Sequence, residues 1–176
     1  EILVNAAPQV ILDPLGAGCV NNEPFTLSGG SPEGGTYTGD GVEDNVFYPE
    51  VAGVGEHIIT YTYADTNGCS NSASQTFTVY ALPQVDIGND TTVCGDETVV
   101  LDATIPNTPT YLWSPGGETT SSIEVDSAGI GLNSQEFIVM VSDNNGCENS
   151  DSTTVTFLDC TGLEEIAGLQ TFGIFP

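Results

Sequence analysis

The sequence contains no lysine and no arginine, whereas it contains 25 aspartate and glutamate residues. Its formal net charge is therefore −25 at pH 7, and His57 is the one side chain that can become positively charged. Without basic side chains no surface can neutralise phosphate groups, which excludes nucleic acid as a partner. Anionic membrane surfaces repel such a chain for the same reason, and no membrane insertion is expected.

Long hydrophobic runs are also missing, because no apolar stretch approaches the roughly 18 residues that a membrane-spanning helix needs. No segment shows helical periodicity. Only 14% of the residues are charged and 39% are hydrophobic, which is too apolar for a disordered polyanion and sufficient for packed cores. Short runs rich in Val, Ile, Thr, Tyr and Phe are separated by 21 glycines and 10 prolines. This composition predicts an all-β chain with many turns.

An internal repeat organises the chain, because several landmarks recur about 75 positions apart. Two ten-residue segments align without a gap, a cysteine recurs at the same distance, and an Asp-x-Asn-Gly-Cys turn appears twice. The recurring landmarks are Glu1–Val10 (EILVNAAPQV) with Thr76–Val85 (TFTVYALPQV), Cys19 with Cys94, and Asp65–Cys69 (DTNGC) with Asp143–Cys147 (DNNGC). The spacing predicts two tandem domains, residues 7–81 and 82–159. Residues 1–6 are then the last strand of a preceding repeat or a donor strand.

Each repeat contains about seven short segments with strand character, and the predicted fold class is all-β, with two tandem immunoglobulin-like β-sandwich domains. Residues 56–64 alternate, with His57, Ile59, Tyr61 and Tyr63 on one face. The Asn-Gly pairs of the two Asp-x-Asn-Gly-Cys turns predict tight hairpins. The predicted strands are 10–12, 24–27, 35–38, 46–48, 56–64 and 75–80 in the first domain, and 84–87, 98–103, 110–114, 122–125, 136–141 and 153–158 in the second.

The five cysteines point to disulfides and to an oxidising compartment. The repeat suggests the pairs Cys19–Cys69 and Cys94–Cys147, each closing a loop of about 50 residues and stabilising its domain by about 4 kcal/mol. The competing hypothesis is a metal site, although no Cys-x-x-Cys pair completes a zinc set. Cys160 is left over, and it either cross-links chains, pairs with a cysteine outside this sequence, or stays free.

The carboxylates suggest two roles other than catalysis. Asp86, Asp90 and Asp143 are candidate calcium ligands, because hard cations bind carboxylate and carbonyl oxygens. Diffuse screening by counter-ions is the alternative, since the Debye length falls to about 3 Å at 1 M salt. A glycosidase would need two carboxylates across a cleft, whereas these lie in predicted turns and on outward faces. No enzyme activity is expected, and the only cofactor considered is calcium. Met140 is interpreted as a core residue.

Several stretches resemble known repeats of large secreted proteins from gliding and marine Bacteroidetes. One group of segments resembles their Ig-like repeats, a second resembles their PKD-like repeats, and a third resembles the beginning of a type IX secretion sorting domain. The segments are Gly34–Val42 (GGTYTGDGV), Phe47–Gly55 (FYPEVAGVG), His57–Tyr63 (HIITYTY) and Asp65–Cys69 for the first group, Asn89–Ala103 (NDTTVCGDETVVLDA), Leu112–Gly117 (LWSPGG) and Asn145–Cys147 for the second, and Asp159–Glu165 (DCTGLEE) and Thr171–Pro176 (TFGIFP) for the third.

This resemblance implies export across the outer membrane by the type IX route and a secreted or cell-surface location. Residues 82–159 are then the PKD-like domain, and residues 160–176 are a linker followed by the beginning of the sorting domain. Proteins of this group are O-glycosylated at Asp-Ser/Thr motifs followed by an apolar residue or Thr, which marks Thr91, Ser127 and Ser152 as candidate sites.

The predicted function is that of an extracellular structural protein, a subunit or segment of a surface filament or adhesin. Unpaired apolar strands at residues 1–6 and 169–175 would add to a neighbour's sheet and produce a homo-polymer; alternatively, both are ends produced by truncation. The other functional hypothesis is a glycan-binding or anchoring accessory module of a secreted enzyme. That hypothesis requires exposed aromatic side chains on one face, for which Tyr37, Tyr48 and Tyr111 are the candidates.

Overall fold

The structure is a computed structural model, and it describes residues 5–107 and 109–160. These residues form two compact units. Unit 1 contains the described residues up to Pro83 together with Asp143–Glu148, and unit 2 contains Gln84–Ser142 with the described residues from Asn149 onward. The turn at 143–148 thus belongs by its contacts to unit 1, although the predicted domain boundaries place it in the second repeat.

Unit 1 is built from nine strands and one short helix. They are β1 (Ile11–Leu12), β2 (Ala17–Cys19), β3 (Phe25–Thr26), β4 (Gly30–Ser31), β5 (Thr36–Thr38), β6 (Val42–Glu43), β7 (Val46–Phe47), α1 (Pro49–Ala52), β8 (Gly55–Ala64) and β9 (Ser70–Tyr80). The strands form a four-stranded sheet in the order β2-β9-β8-β5, a three-stranded sheet β3-β7-β6, and a two-stranded pair β1-β4. The short strand β2 runs parallel to β9, while the long β8–β9 hairpin is antiparallel.

Unit 2 repeats this arrangement with fewer strands. They are β10 (Thr91–Cys94), β11 (Thr98–Asp102), β12 (Thr110–Ser114), β13 (Ser122–Asp126), α2 (Ser127–Ile130), β14 (Ser134–Ser142) and β15 (Glu148–Leu158). One sheet has the order β10-β15-β14-β12, and β11 pairs with β13 in the other. β10 is parallel to β15, as β2 is to β9.

Each unit has its own hydrophobic core, with side chains from more than one sheet. In unit 1, Phe47 of β7 packs with Ile59 of β8 and with Phe77 and Val79 of β9. In unit 2, Trp113 of β12 is 1% exposed and lies in one cluster with residues of β14, β15, β11 and β13. Strands of two sheets that share one core make a β-sandwich. The predicted all-β, immunoglobulin-like fold class is therefore confirmed.

The strand predictions agree best with the structure for the segments in which apolar and polar residues alternate strongly. β8 buries His57, Ile59 and Tyr61 on one face and leaves Ile58 exposed on the other. β12 coincides with its predicted range, and β14 and β15 are longer than predicted. The two helices have four residues each.

The strand predictions were wrong in two respects. Residues 84–87 form no strand, because the backbone N–H of Ile87 donates to a side chain, Asp151 Oδ2, at 2.8 Å rather than to a neighbouring strand. Conversely, β2, β4, β6 and β10 were not predicted as strands, and β4 and β6 have only two residues each. β2 and β10 are also short and lie at the edge of a sheet, where parallel pairing with β9 and β15 defines them. Alternation within three or four residues is too short to reveal such a strand.

Candidate functional site

The structure pairs the cysteines differently from the sequence prediction. Cys19 at the end of β2 is bonded to Cys147, with Cα atoms 5.6 Å apart, and both belong to unit 1. Cys94 at the end of β10 is bonded to Cys160, with Cα atoms 5.5 Å apart. Cys69 has no disulfide partner among the described residues. The predicted pairs Cys19–Cys69 and Cys94–Cys147 are therefore not formed, and Cys160 is not left over.

The physical reason for this error is the translational symmetry of the repeat. A bond from Cys19 to the turn cysteine of its own repeat, Cys69, and a bond to the turn cysteine of the next repeat, Cys147, can each be continued from one repeat to the next. Only the three-dimensional contacts choose between them, and they assign the turn at 143–148 to unit 1.

The two Asp-x-Asn-Gly-Cys turns have the same local structure. In the first, Asp65 Oδ1 accepts hydrogen bonds of 2.9 Å from the backbone N–H groups of both Asn67 and Cys69. In the second, Asp143 Oδ1 accepts from Asn145 at 2.8 Å and from Cys147 at 2.9 Å. The aspartate is required because a short acceptor can reach backbone donors two and four residues ahead.

Glycine completes each turn, and the cysteine follows it. Gly68 and Gly146 have φ angles of +83° and +79°, a region that a side chain disfavours. The two turns differ in the environment of the cysteine: Cys147 is fully buried in its disulfide, whereas Cys69 is half-buried.

Three carboxylates of unit 2 line one surface cavity of about 430 Å³. Each of them accepts a backbone hydrogen bond: Asp86 from Gly88 and Asp90 from Thr154. The third, Asp151, accepts from Ile87, as described above. Asp90 and Asp151 therefore hold the segment around residues 86–90 against β15 in place of ladder hydrogen bonds, whereas the Asp86 bond lies within the segment.

The predicted calcium ligands are not found as a set. Asp86 and Asp90 line the cavity of unit 2, whereas Asp143 belongs to the turn of unit 1. Within residues 5–107 and 109–160, no group of three or more His, Cys, Asp or Glu side chains is arranged to hold a metal ion. Calcium binding stays a prediction.

The three candidate glycosylation sites differ in accessibility. Ser152 on β15 is exposed, whereas Thr91 on β10 is half-buried. Ser127 is half-buried at the beginning of α2, and its hydroxyl donates a short hydrogen bond to the carbonyl of Gly95. In all three motifs the aspartate accepts a backbone hydrogen bond; Asp126, for example, caps α2 through Ala128 and Gly129. Local structure thus accounts for these aspartates without glycosylation, and Ser152 is the best-placed acceptor.

The aromatic candidates do not form an exposed platform. Tyr111 is only 9% exposed, and its hydroxyl accepts from the backbone N–H of Ile105, so its prediction as an exposed side chain was wrong. Tyr37 is half-buried against Tyr61, with ring centroids 4.7 Å apart, and Tyr48 is half-buried. His57 is buried and its Nε2 lies 2.8 Å from the carbonyl of Gly53, which is a structural role.

An apolar strip lies on the outer face of the larger sheet of unit 2. Leu112 of β12 is directly opposite Met140 of β14, and Ile138 lies two residues before Met140 on the same face. Their exposed fractions are 52%, 45% and 40%. The interpretation of Met140 as a core residue was wrong, because Phe137, Val139 and Val141 are the residues of β14 that point into the core. We call Leu112, Ile138 and Met140 the outer strip.

Two further predictions concern the ends of the chain and the membrane. The segments 1–4 and 161–176 lie outside the described residues, so the terminal donor strands and the sorting-domain residues Thr171–Pro176 are not placed. Among the described residues no helix is long and apolar enough to cross a bilayer.

Comparisons with known proteins give distant structural similarities. No protein-family model matches the chain, and no curated protein matches it. The chain is similar to the solved structure of DIP-gamma IG1+IG2, at 14% identity and a TM-score of 0.34, covering 60% of this chain and 60% of that one. It is similar to the Bacteroides ovatus mixed-linkage glucan utilization locus protein SGBP-B, at 16% identity and a TM-score of 0.31, covering 86% of this chain and 48% of that one.

A third similar structure is the Ca²⁺-stabilized adhesin with which an Antarctic bacterium binds ice, at 17% identity and a TM-score of 0.32. The similarity covers 77% of this chain and 43% of that one. Because these scores are low, the description of the fold depends on the strand order and the cores of the chain itself.

Proposed function

We propose that this chain is a non-catalytic segment of an extracellular structural or adhesive protein. The observation that carries the proposal is the pair of disulfides, Cys19–Cys147 and Cys94–Cys160, in a tandem of β-sandwich units. Disulfides of this structural kind persist in oxidising compartments and are rare in the cytosol. They close sequence separations of 128 and 66 residues, for which the chain-entropy model gives about 5 and about 4 kcal/mol.

The charge of the chain supports the same role. With a net charge of −25 and no lysine or arginine, the surface cannot be held together by ionic pairs with basic side chains. Mutual repulsion opposes the compact state and keeps separate molecules soluble. The disulfides and the aspartate side chains that accept backbone hydrogen bonds supply part of the stabilisation that ionic pairs would otherwise give.

The outer strip supplies a surface through which an adhesive segment can make contact. Leu112 and Met140 form a cross-strand apolar pair on the exposed face of the sheet, and Ile138 lies on the same face. Burying such a pair is favourable by roughly 25 cal/mol per Å² of apolar area, and this gain does not depend on charge. Contact through the outer strip is therefore compatible with a strongly acidic surface.

Four further predictions from the sequence form part of this proposal. Export by the type IX route, glycosylation with Ser152 as the most accessible site, calcium binding, and polymerisation through terminal strands are all consistent with a cell-surface segment. The burial of Tyr111, one of its three candidate residues, argues against the glycan-binding alternative.

Localisation and thiol state test the proposal together. Immunogold electron microscopy of producing cells should place the chain at the cell surface or on extracellular fibres. Alkylation of the isolated 176-residue chain under denaturing, non-reducing conditions should label one of the five cysteines, which is Cys69. A cytosolic pool in which all five cysteines are labelled would exclude an extracellular role.

Adhesion is tested by replacing part of the outer strip. The double variant Leu112→Thr/Met140→Thr should reduce attachment of purified protein to hydrophobic and cellular surfaces without lowering Tm, because both side chains are exposed. The control is Val51→Thr, which removes an even more exposed apolar side chain, 74% exposed, from α1 in the other unit. Equal attachment by the double variant and the wild type would assign the chain a purely structural role.

A further inference from the structure

Cys69 is the one cysteine of the described residues without a disulfide. The second Asp-x-Asn-Gly-Cys turn has the same structure, and its cysteine is in a disulfide. The Sγ of Cys69 lies 4.0 Å from the backbone oxygen of Asn5 and is half-buried. The equivalent residue of the second turn, Cys147, is fully buried and bonded to Cys19. The Cys19–Cys147 bond is an observation independent of Cys69 itself. It shows that the cysteine of such a turn can form a disulfide.

The positions that accept a turn cysteine are also equivalent. Cys19 and Cys94 each end a short strand that runs parallel to the strand that comes last in sequence in its sheet: β2 runs parallel to β9, and β10 runs parallel to β15. We call this the strand-end position. Both strand-end cysteines of this chain are already bonded, Cys19 to Cys147 and Cys94 to Cys160. Any disulfide of Cys69 therefore requires a cysteine from outside the described residues.

The direction of the pairing follows from the Cys19–Cys147 bond. The turn cysteine of the second repeat bonds the strand-end cysteine of the first repeat, and the turn that carries it belongs by contacts to unit 1. The same rule, applied one repeat earlier, requires a strand-end cysteine in an immunoglobulin-like unit that precedes residues 7–81 or in a separate molecule.

We propose that Cys69 forms a disulfide with the strand-end cysteine of another immunoglobulin-like unit of the same type. Successive repeats would then be joined covalently, each by a disulfide from its turn cysteine to the strand-end cysteine of the repeat before it. Cys19–Cys147 is one such disulfide. Both partners begin as thiols. The Cys69 thiolate attacks oxidised glutathione or an equivalent disulfide oxidant, and the partner thiolate displaces the second glutathione. Two electrons and two protons leave with two molecules of reduced glutathione.

The inference deepens the proposed structural role, but its test is independent of where the protein works. Residues 7–81 are duplicated in tandem, so that residue 81 of the first copy is followed by residue 7 of the second, with residues 82–176 unchanged. The junction then reads Tyr-Ala-Ala-Pro, close to the Tyr-Ala-Leu-Pro of residues 80–83. The purified protein is refolded in a glutathione buffer, and free thiols are counted by alkylation and intact mass.

Two variants of the duplicated chain separate the possible pairings. In the first, Cys69→Ser is introduced in the first copy only, and we expect no free thiol, because Cys19 of the first copy bonds Cys69 of the second. In the matched control, Cys69→Ser is introduced in the second copy only, and we expect two free thiols. The reverse result would show pairing within a repeat. Two free thiols in both variants, or none in the control, would equally overturn the proposal.

A second arm identifies whether separate molecules can supply the partner. Wild-type chain is mixed in the same buffer with a Cys69→Ser/Cys147→Ser variant, in which Cys19 is free. A disulfide-linked dimer of one wild-type chain and one variant chain extends the proposal to separate molecules, provided that it is lost when the first chain also carries Cys69→Ser. Dimer formation that survives this substitution would contradict the assignment of Cys69.

Discussion

A single buried hydroxyl illustrates the balance of forces at the residue scale. Thr153 in β15 is 2% exposed, and its Oγ1 has no hydrogen-bond partner among the described residues. An unsatisfied buried polar group costs roughly 1–3 kcal/mol. Thr156, on the same strand, is different, because its hydroxyl lies 2.8 Å from the hydroxyl of Ser134.

We expect Thr153→Val to raise the free energy of unfolding by about 1 kcal/mol, because valine has the same shape and no hydroxyl. Urea denaturation of both proteins measures the difference. The control Thr156→Val removes a bonded hydroxyl and should leave the stability unchanged or lower it. Destabilisation by Thr153→Val would show that its hydroxyl has a partner in solution.

Asp102, also at the residue scale, is an exposed carboxylate with a perturbed titration. The side chain and the backbone N–H of Thr104 both donate to it, and these hydrogen bonds hold the pKa of Asp102 below its ordinary value. A lowered pKa in the folded state means that this contribution to stability is present above the unfolded pKa. It is lost as the pH falls through the folded pKa.

Thr104→Val should therefore raise the pKa of Asp102 towards the ordinary aspartate value, because the side-chain donor is removed and the backbone donor remains. NMR titration of the Asp102 side-chain carboxyl measures the change. The same titration of the wild-type protein is the reference. An unchanged pKa at position 102 would show that the Thr104 hydroxyl is not a donor in solution.

At the scale of the element, Tyr61 ties β8 to the segment between β4 and β5. Its hydroxyl accepts a hydrogen bond of 2.7 Å from the backbone N–H of Gly35 and donates to the carbonyl of Pro32. The ring passes so close to Gly35 that a Cβ there would lie 2.4 Å from Tyr61 Cζ. The glycine and the tyrosine are thus matched, since the backbone approaches the ring only without a side chain.

Tyr61→Phe should lower the free energy of unfolding by about 2 kcal/mol, because it leaves the Gly35 N–H and the Pro32 carbonyl without their partner. Thermal and chemical denaturation measure the loss. Tyr63→Phe is the matched control, since it removes a hydroxyl from a half-buried tyrosine of the same strand. Equal losses in the two variants would argue against a special role for the Tyr61 hydroxyl.

At the scale of the whole molecule, repulsion among carboxylates opposes folding. The Debye length falls from about 10 Å at 0.1 M to about 3 Å at 1 M salt. We therefore expect an increase of the NaCl concentration from 0.1 to 1 M to raise Tm by about 2–4 °C, which corresponds to about 1 kcal/mol in the free energy of unfolding. Adding CaCl₂ and MgCl₂ at matched ionic strength separates the two hypotheses for cations. An equal effect indicates screening, whereas a larger effect of Ca²⁺ indicates a specific site.

The disulfides act at the same scale. Cys147→Ser opens the closure of 128 residues and should lower the free energy of unfolding by about 5 kcal/mol, whereas Cys160→Ser should cost about 4 kcal/mol. Denaturation under non-reducing conditions measures both. Cys69→Ser is the control and should cost little, because its thiol is not in a disulfide. A large loss in the control together with small losses in the others would contradict the pairing.

The repeat, the all-β class and the central hairpins could be predicted because they depend on local chemistry. Alternation along residues 56–64 identified the buried face of β8, and Asn-Gly pairs marked the turns. The five cysteines also predicted disulfides, and two are formed, although between other pairs of cysteines than predicted. These properties are encoded over a few neighbouring residues and do not require knowledge of distant contacts.

The tertiary structure decided which equivalent residues meet. Cys19 is related by the repeat to both turn cysteines, and only the contacts of residues 143–148 with unit 1 select Cys147. The same holds for β2 and β10, which exist because the last strand of each sheet pairs with them, and for Met140, whose exposure depends on which face of β14 meets the core. A periodic sequence specifies local structure repeat by repeat, but it leaves pairing within or between repeats to long-range packing.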